Sequence, residues 1–259
     1  MVNDERPLNE RLSGLSPAQL KALLRKGREG SPPRPGKPGL MPRMPGGMHP
    51  LSKAQERMWF LNMLSGGEAI YNNPAALRVK GLSPLNISIL TASLEMLMAR
   101  HEILRTTFRI ENGSPVQVIH PEGKAFIRYV DLHEMPSEER KKKVMEEALA
   151  HGKTFIPLDS LPLLRFTVLH LQDLEYMLLI NPHHIISDGW SNALFAKELS
   201  MTYASLESGE TPPFPAPEYQ YVDFVKWEKD WMASAASSEQ MEFWKAQLAE
   251  LPEPLKLPL

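Results

Sequence analysis

The sequence predicts a mixed α/β sandwich rather than a doubly wound parallel sheet. Segments with helical periodicity alternate with short apolar runs typical of strands. Two pairs of strand candidates are separated only by tight polar turns, at Asn112-Gly113 and at Gln172-Asp173. Such turns join antiparallel neighbours, whereas a purely parallel sheet needs long crossover connections. The sheet is therefore expected to be mixed.

The first folded elements are predicted from about His49 onward. Residues 52–64 are predicted to form a helix capped by Ser52, and residues 75–80 a short strand. Apolar residues at helical spacing predict a second helix over residues 86–100. Three further strands are expected at residues 103–110, 115–120 and 126–131.

The remaining elements follow the same rules. A charged helix is predicted at residues 137–152, then two strands at 163–171 and 174–181. A helix with one apolar face is expected from about 190 to 207, followed by a proline-rich loop at 211–217. Residues 218–250 are predicted to be mostly helical.

Residues 1–48 have a different composition from the rest of the chain. Residues 1–27 are predicted to be a leader that contains a short amphipathic helix at 15–27, with Ser16 as N-cap and Pro17 in the first helical position. Residues 28–48 are crowded with proline and glycine, which predicts a linker. The domain proper is expected to cover residues 49–259.

Composition excludes several classes of protein. The chain has 29 Lys and Arg against 31 Asp and Glu, a formal net charge of −2, so no global attraction to nucleic acid or to anionic lipid is expected. It has no cysteine, which excludes disulfides, thiolate metal sites and a cysteine acyl-enzyme. No apolar stretch approaches the roughly 20 residues that span a bilayer, and the N-terminus lacks a signal core. We expect a cytoplasmic protein.

Residues 181–191 carry most of the chemical information. A short apolar run, expected to be a buried strand that Pro182 terminates, leads into His183, His184, Asp188 and Gly189. A neutral imidazole can accept a proton or a hydrogen bond from an amine at cellular pH. The aspartate could fix the loop or cap the following helix, and the glycine could permit a turn that a side chain would block. This pattern predicts a catalytic base at the lip of a channel.

Two other interpretations of this stretch remain open. Asp188 could be purely architectural, and a histidine near an aspartate is often structural. His184 and Asp188 could also share a metal ion if the stretch were helical. No third ligand is evident, and adjacent His183 and His184 would point to opposite sides of an extended chain, so no metal is the favoured expectation.

Four stretches in the correct order resemble the motifs of condensation domains of nonribosomal peptide synthetases. The His-His-x-x-x-Asp-Gly stretch is similar to the signature of that family. The stretch with Ser52, Arg57 and Trp59 resembles its opening motif, with Met58 in place of leucine. The other two similar stretches are residues 100–108 and 221–227.

This resemblance implies a chloramphenicol acetyltransferase-like mixed-sheet sandwich, of which the chain would be one lobe of a two-lobed domain. It implies amide-bond formation, in which a carrier-bound aminoacyl amine attacks an upstream acyl or peptidyl thioester. His184 would assist the amine, His183 would shape the channel, Asp188 would be mainly structural, and Gly189 would leave space and lend a backbone N–H. Channel or support roles would fall to Trp190, Ser187, Arg100 and Arg105.

The same resemblance implies the partners. No cofactor would be bound directly, because upstream and downstream peptidyl carrier proteins deliver phosphopantetheine arms. Adjoining synthetase domains or a second-lobe chain would complete the tunnel, and without that lobe Asp188 would lack an arginine partner and activity would be weak. Arg57 and the stretch at 100–106 resemble domains that accept an L-configured donor. Two alternatives are a non-catalytic carrier-recruitment domain and a stand-alone acyltransferase that uses coenzyme A thioesters.

Overall fold

The computed structural model describes residues 47–66, 68–81 and 83–250. The predicted helix at 15–27 and nearly all of the predicted linker at 28–48 lie outside these residues. The described residues fall into two units, 47–229 and 230–250. Among them, no helix combines the length and the apolarity needed to cross a bilayer.

A four-stranded mixed sheet carries the motif. Its order is β2 (Ala75–Lys80), β7 (Glu175–Pro182), β6 (Leu164–Gln172) and β5 (Ile127–Asp131). The neighbours β2–β7 and β7–β6 are antiparallel, and β5–β6 are parallel. The parallel pair is joined through helix α3 (Ser137–Lys153), because a parallel connection must cross from one end of the sheet to the other. The predicted mixed sheet is confirmed.

A second sheet has three antiparallel strands in the order β1 (Met48–Pro50), β4 (Ser114–Ile119) and β3 (Thr106–Glu111). The turn between β3 and β4 places Asn112 at φ 49° and Gly113 at φ 77°. Two successive positive φ values are what a two-residue hairpin turn requires, and asparagine and glycine tolerate them best. The hairpin predicted from these two residues is confirmed.

The other helices lie between and after these strands in the chain. They are α1 (Lys53–Leu64), α2 (Ile87–Arg100), α4 (Gly189–Glu207), α5 (Tyr221–Met232) and α6 (Ala235–Gln247), with short 3-10 helices at Ala69–Tyr71 and Glu102–Arg105. Ser52 caps α1 as predicted, and its hydroxyl accepts a hydrogen bond from the Gln55 N–H at 3.1 Å while the Gln55 side chain bonds back to the Ser52 N–H. This capping box fixes where α1 begins.

The main core lies between the large sheet and helices α2 and α4. Leu94 and Leu97 of α2 are at most 3% exposed and pack in one cluster with Leu199 of α4 and Val168 of β6. Removing a side chain such as Leu97 would cost about 2–5 kcal/mol. This packing holds α4, and therefore the motif at its N-terminus, against the sheet.

Two predicted boundaries differ from the structure. The strand expected to begin at residue 103 begins at Thr106, because residues Glu102–Arg105 form a 3-10 turn in which the Thr106 hydroxyl donates to the Glu102 carbonyl at 2.7 Å. The linker expected to reach residue 48 ends earlier, because Met48 pairs with Val118 in β1. Both elements span only three or four residues, too few for periodicity to show.

Candidate active site

The end of strand β7 delivers the two histidines, but Pro182 does not end its pairing. The Pro182 carbonyl accepts a hydrogen bond from the Asn73 N–H at 2.9 Å. The His183 N–H then donates to the Leu163 carbonyl at 3.0 Å, and the His184 N–H to the Tyr71 carbonyl at 2.7 Å. Strand β7 ends at Pro182 as predicted, but the expectation that hydrogen bonding also ends there is wrong, because proline removes only a donor and leaves its acceptor in place.

His183 is buried, and its side chain forms a hydrogen bond within the loop. The residue is only 2% exposed. Its Nδ1 accepts a hydrogen bond from the Ile185 N–H at 3.1 Å, and its Nε2 lies 3.4 Å from Asn62 Oδ1. Burial, followed by the charge of His184, lowers the pKa of His183 from 6.5 to about 4. His183 is therefore neutral near pH 7 and shapes the turn from inside.

His184 is exposed and has one ring nitrogen occupied. Its Nδ1 lies 2.6 Å from the Ser187 carbonyl oxygen. A carbonyl can only accept, so Nδ1 carries the proton and Nε2 of the neutral ring keeps its lone pair. Within the described part of the chain, no group bonds to Nε2. The ring therefore presents a basic nitrogen to an open side of the protein.

Asp188 caps helix α4, which begins at Gly189, one residue before the predicted start. Its Oδ1 accepts from the Ser191 N–H at 2.7 Å, and the Ser191 hydroxyl bonds back to the Asp188 N–H at 2.7 Å. The hydrogen bond from the Ser191 N–H is the main reason that the pKa of this carboxyl is lowered. Asp188 was expected to lack an arginine partner in the absence of a second lobe; its carboxylate instead bonds within its own helix. The capping role that the sequence predicted is confirmed.

Gly189 lies beside open space. Its φ is not positive, and a Cβ added to it would meet no described atom within 4 Å. The prediction that a side chain here would block the turn is therefore wrong, because the backbone conformation is one that any residue adopts. Trp190 follows, with 86% of its surface exposed, so it is not a core residue. Both residues leave the approach to the helix N-terminus unobstructed.

Large apolar side chains are exposed on elements that contact the motif. They lie on the two elements that hydrogen-bond to the histidines, α1 and the 3-10 helix Ala69–Tyr71, and on the motif itself: Phe60, Met63, Leu64, Ile70 and Trp190 are 58–86% exposed. Exposed apolar groups of this size mark a surface that another protein or a ligand covers.

A small cavity lies behind the loop. It has a volume of about 80 Å³ and is lined by Ser187 and Pro182, with Ser191 and Phe195 of α4 and His101. The Ser187 hydroxyl donates to the His183 carbonyl at 3.2 Å. Ser187 thus supports both histidines, one through its hydroxyl and the other through its carbonyl.

The two candidate arginines lie in ion pairs that belong to the scaffold. Arg100 Nε is 3.2 Å from Glu198 Oε2 on α4, and its guanidinium stacks 5.1 Å from the Phe214 ring. Arg105 donates to the His120 carbonyl and to Glu102 Oε1, the latter at 3.3 Å. The structure brings neither of them into contact with His183, His184 or Asp188.

No shared ion is needed to explain the motif. The stretch from His183 to Asp188 precedes the helix, so the helical geometry that would join His184 and Asp188 at a metal is not present. Among the described residues, a group of three ligand side chains close enough to share an ion is formed by Asp131, His133 and His170, which lie outside the motif.

Comparison with known proteins identifies the family. The condensation-domain family matches residues 46–259.

The chain belongs to the condensation-domain family of nonribosomal peptide synthetases.

Curated relatives of this condensation domain are large synthetases. It is 39% identical over 209 residues to a linear gramicidin synthase protein of Brevibacillus parabrevis, a match that covers 81% of this chain and 3% of that protein. It is 32% identical over 253 residues to the phosphinothricin tripeptide synthetase PhsC of Streptomyces viridochromogenes, covering 97% of this chain and 23% of that protein. The chain therefore spans a small part of these relatives.

Solved condensation domains have the same fold. The first condensation domain of the CDA synthetase matches with a TM-score of 0.72 at 24% identity, covering 82% of this chain and 52% of that structure. The first condensation domain of the calcium-dependent antibiotic synthetase, in complex with a substrate analogue, matches with a TM-score of 0.71 at 26% identity, covering 80% of this chain and 49% of that structure. The predicted chloramphenicol acetyltransferase-like fold is confirmed, and this condensation domain spans about half the length of those structures.

Three site residues were not singled out from the sequence. Ser191 completes the cap of α4, and the spacing of Asp188 and Ser191 was the signal that could have shown it. Asn62 and Tyr71 hold the histidines from α1 and the 3-10 helix. No local pattern marks them, because Asn62 lies 121 positions from His183.

Proposed function

We propose that this condensation domain contributes the amine-activating face of an amide-forming acyltransferase. The amine nitrogen of an aminoacyl thioester attacks the carbonyl carbon of an upstream acyl or peptidyl thioester. A C–N bond forms and the C–S bond breaks. The nitrogen loses one proton, and the departing sulfur ends as a thiol. The protein has to position the amine, receive its proton and stabilise the developing oxyanion.

The observation that carries the proposal is the occupied Nδ1 of His184. Because Nδ1–H donates to the Ser187 carbonyl, Nε2 is left as an acceptor, on the exposed side of the ring. An amine that arrives there can donate a hydrogen bond to Nε2 and then transfer its proton. The same nitrogen can return that proton to the leaving sulfur.

The other motif residues take supporting roles in the proposal. His183, neutral and buried, holds the turn, and Asp188 fixes the start of α4. The first N–H groups of a helix have no acceptor within the helix, so the Gly189 N–H can face a developing oxyanion. Trp190 is exposed beside Gly189, Ser187 supports the two histidines, and Arg100 and Arg105 stabilise the scaffold.

Upstream and downstream peptidyl carrier proteins are the proposed partners, since thioester substrates reach such domains on phosphopantetheine arms. The open space beside Gly189 and the unobstructed His184 ring fit the entry of a narrow arm. The arm brings the thioester, and this chain binds no cofactor of its own in the proposal. The apolar residues exposed on the elements that contact the motif would contact the second lobe or an adjoining synthetase domain. Arg57 and residues 100–106 favour an L-configured donor.

The test is peptide-bond formation between two loaded carrier proteins. The chain is assayed alone and together with the second lobe of a relative's condensation domain, and the dipeptidyl thioester is measured by mass spectrometry. Product that depends on His184 supports the proposal. Carrier binding that His184→Ala leaves unchanged, with no product in any mixture, would instead indicate a recruitment domain. Turnover of free acyl-coenzyme A with free amines would indicate a stand-alone acyltransferase.

A further inference from the structure

A second cavity lies at the side of the large sheet, between α3 and strands β5 and β6. Its volume is about 470 Å³, within the range of small-molecule sites. Its polar lining residues are Arg128, Glu147, His151, Thr154, Arg165 and Thr167, and its apolar lining residues include Phe126 and Pro162. Leu164 and Phe166 also border it, but they alternate with Arg165 and Thr167 along β6 and belong to the main core. Polar and apolar groups together suit an organic ligand with a charged end.

Two residues that line this cavity each have a buried side-chain nitrogen with no hydrogen-bond partner among the described residues. One is Nε2 of His151, a residue that is 8% exposed, and the other is Nε of Arg165. The Arg165 Nε–H can only donate. The other ring nitrogen of His151, Nδ1, lies 3.1 Å from the Thr167 hydroxyl. If this hydroxyl donates to Nδ1, the neutral ring carries its proton on Nε2. Each of these nitrogens can therefore donate an N–H that no described group accepts.

The charges of the cavity favour an anion. Arg128 and Arg165 line it together with one carboxylate, that of Glu147. This carboxylate is already paired, 2.5 Å from Arg128 Nη1 and 3.6 Å from Lys143 Nζ. Arg165 has no carboxylate partner among the described ion pairs. Burial is the main cause that lowers the pKa of His151, and the positive charges of Arg128 and Arg165 lower it further, while Glu147 opposes them.

We propose that this cavity is a binding site for the phosphate of a phosphorylated organic molecule. The guanidinium of Arg165 and the N–H of His151 hold the phosphate oxygens, and Thr154 can add a hydroxyl donor. Phosphate suits this set because arginine and N–H donors make short, charge-assisted hydrogen bonds to its oxygens. The organic part of the ligand packs on Phe126 and Pro162.

Two sources share this chemistry, the phosphopantetheine arm of a carrier protein and a free phosphorylated metabolite. The first source rests on the proposed function, whereas the site itself does not. In the β6–β7 register Arg165 lies opposite Asn181, three residues before His184. At about 3.3 Å per strand residue, the two positions are on the order of 10 Å apart along the strand. A ligand in this cavity therefore lies near the strand end that carries the motif.

The experiment is calorimetric titration of the full chain with phosphopantetheine, pantetheine and inorganic phosphate at a fixed ionic strength of about 0.15 M. Phosphopantetheine is expected to bind, with pantetheine weaker by on the order of ten- to a hundredfold, the ratio typical of lost charge-assisted hydrogen bonds. Stronger binding of phosphopantetheine than of inorganic phosphate points to the arm. Equal binding of the two points to a free phosphate compound.

Three variants make the test specific. Arg165→Gln should weaken phosphopantetheine binding about tenfold or more, and Glu147→Gln, which removes the only carboxylate among the lining residues, should strengthen it. Arg109→Gln removes the same charge from an exposed position on β3 and should change binding by less than about twofold. Circular dichroism confirms that each variant is folded.

The proposal is overturned if no phosphate compound binds, as for a cavity that holds only water. It is also overturned if pantetheine binds as well as phosphopantetheine, or if Arg109→Gln and Arg165→Gln lose equal affinity. Because binding is measured without turnover, failure here is distinct from failure of the amide-forming function.

Discussion

The Nδ1 atom of His184 lies 2.6 Å from the carbonyl oxygen of Ser187, three residues further along the same loop. This contact fixes both the tautomer and the direction of the ring, and it does so without a carboxylate. Asp188, the acidic member of the motif, instead bonds to the N–H of Ser191. The imidazole of this domain is thus oriented by backbone, and its aspartate is used to begin a helix.

Replacing the His184 imidazole should remove activity without changing stability. We expect His184→Ala to lower the rate of amide formation on the order of 100- to 10,000-fold, the usual contribution of a general base. The free energy of unfolding should change by less than about 0.5 kcal/mol because the side chain is exposed. The rate is measured with two loaded carriers and the second lobe of a relative's condensation domain, and stability by urea unfolding of the chain alone.

Two controls separate the ring from its surroundings. Ser187→Ala keeps the carbonyl that orients His184 and should retain most of the rate. His133→Ala removes another exposed imidazole, 41% accessible and outside the motif, and should have no effect. Amide formation by His184→Ala at the rate of the unchanged protein would contradict the proposed role.

His183 should make stability depend on pH. Its pKa is about 4 in the folded chain against 6.5 when unperturbed. Between these values the unfolded state binds more protons, so the contribution to the free energy of unfolding is complete above pH 6.5 and is lost as the pH falls toward 4. The loss is on the order of 3 kcal/mol.

The measurement is urea unfolding of the chain and of His183→Asn at about pH 7.5 and at about pH 4.5, on either side of the unperturbed pKa. The amide can replace the Nδ1 acceptor but does not titrate. The pH-dependent loss should therefore be smaller in the variant. Burial also lowers the pKa of His151, but that effect is common to both proteins and cancels in the difference. Equal losses in the two proteins would show that His183 is not held neutral.

Asp188 should be replaceable by another capping residue. Asp188→Asn keeps an oxygen for the Ser191 N–H, so both stability and rate should fall only slightly. Asp188→Ala removes the cap and should cost about 1 kcal/mol, with a loss of rate because α4 frays at the site. Thermal unfolding and the carrier assay are compared for the two variants. If Asp188→Asn lost as much activity as Asp188→Ala, the carboxylate charge itself would be required.

Gly189 and Gly209 provide a matched pair at the two ends of α4. Gly189→Ala meets open space in an ordinary backbone conformation, so the free energy of unfolding should stay equal or rise by up to about 1 kcal/mol. Gly209 has φ +74°, and Gly209→Ala should cost about 1 kcal/mol.

Activity should show the opposite order. Gly189→Ala fills space that the proposed substrates need and should lower the rate of amide formation, whereas Gly209→Ala should leave the rate unchanged at temperatures where it is folded. A stable Gly189→Ala variant with full activity would indicate that no substrate passes this glycine.

The long elements could be predicted because the residues that specify each of them lie within or next to the element in the sequence. Helices α1, α2 and α4 have caps or apolar spacing within their own residues, and the β3–β4 hairpin is specified by Asn112 and Gly113. Strand β1 and the 3-10 turn at Glu102–Arg105 have too few residues for a period, and they form because a neighbouring strand or carbonyl is already in place.

The sequence by itself determined the family, the mixed fold and the stretch at 181–191 that holds the site, since these depend on residue types at fixed spacing along one segment. The tertiary structure alone decided which histidine is buried, which nitrogen of His184 is free, and that Pro182 stays within the sheet. The burial of His183 and the pairing of Pro182 depend on Asn62, Tyr71, Asn73 and Leu163, which approach the motif only when the chain folds. The free nitrogen of His184 depends on the fold of the loop that brings the Ser187 carbonyl to Nδ1. Burial and hydrogen-bond direction are set by such neighbours in space, and a linear pattern contains no information about them.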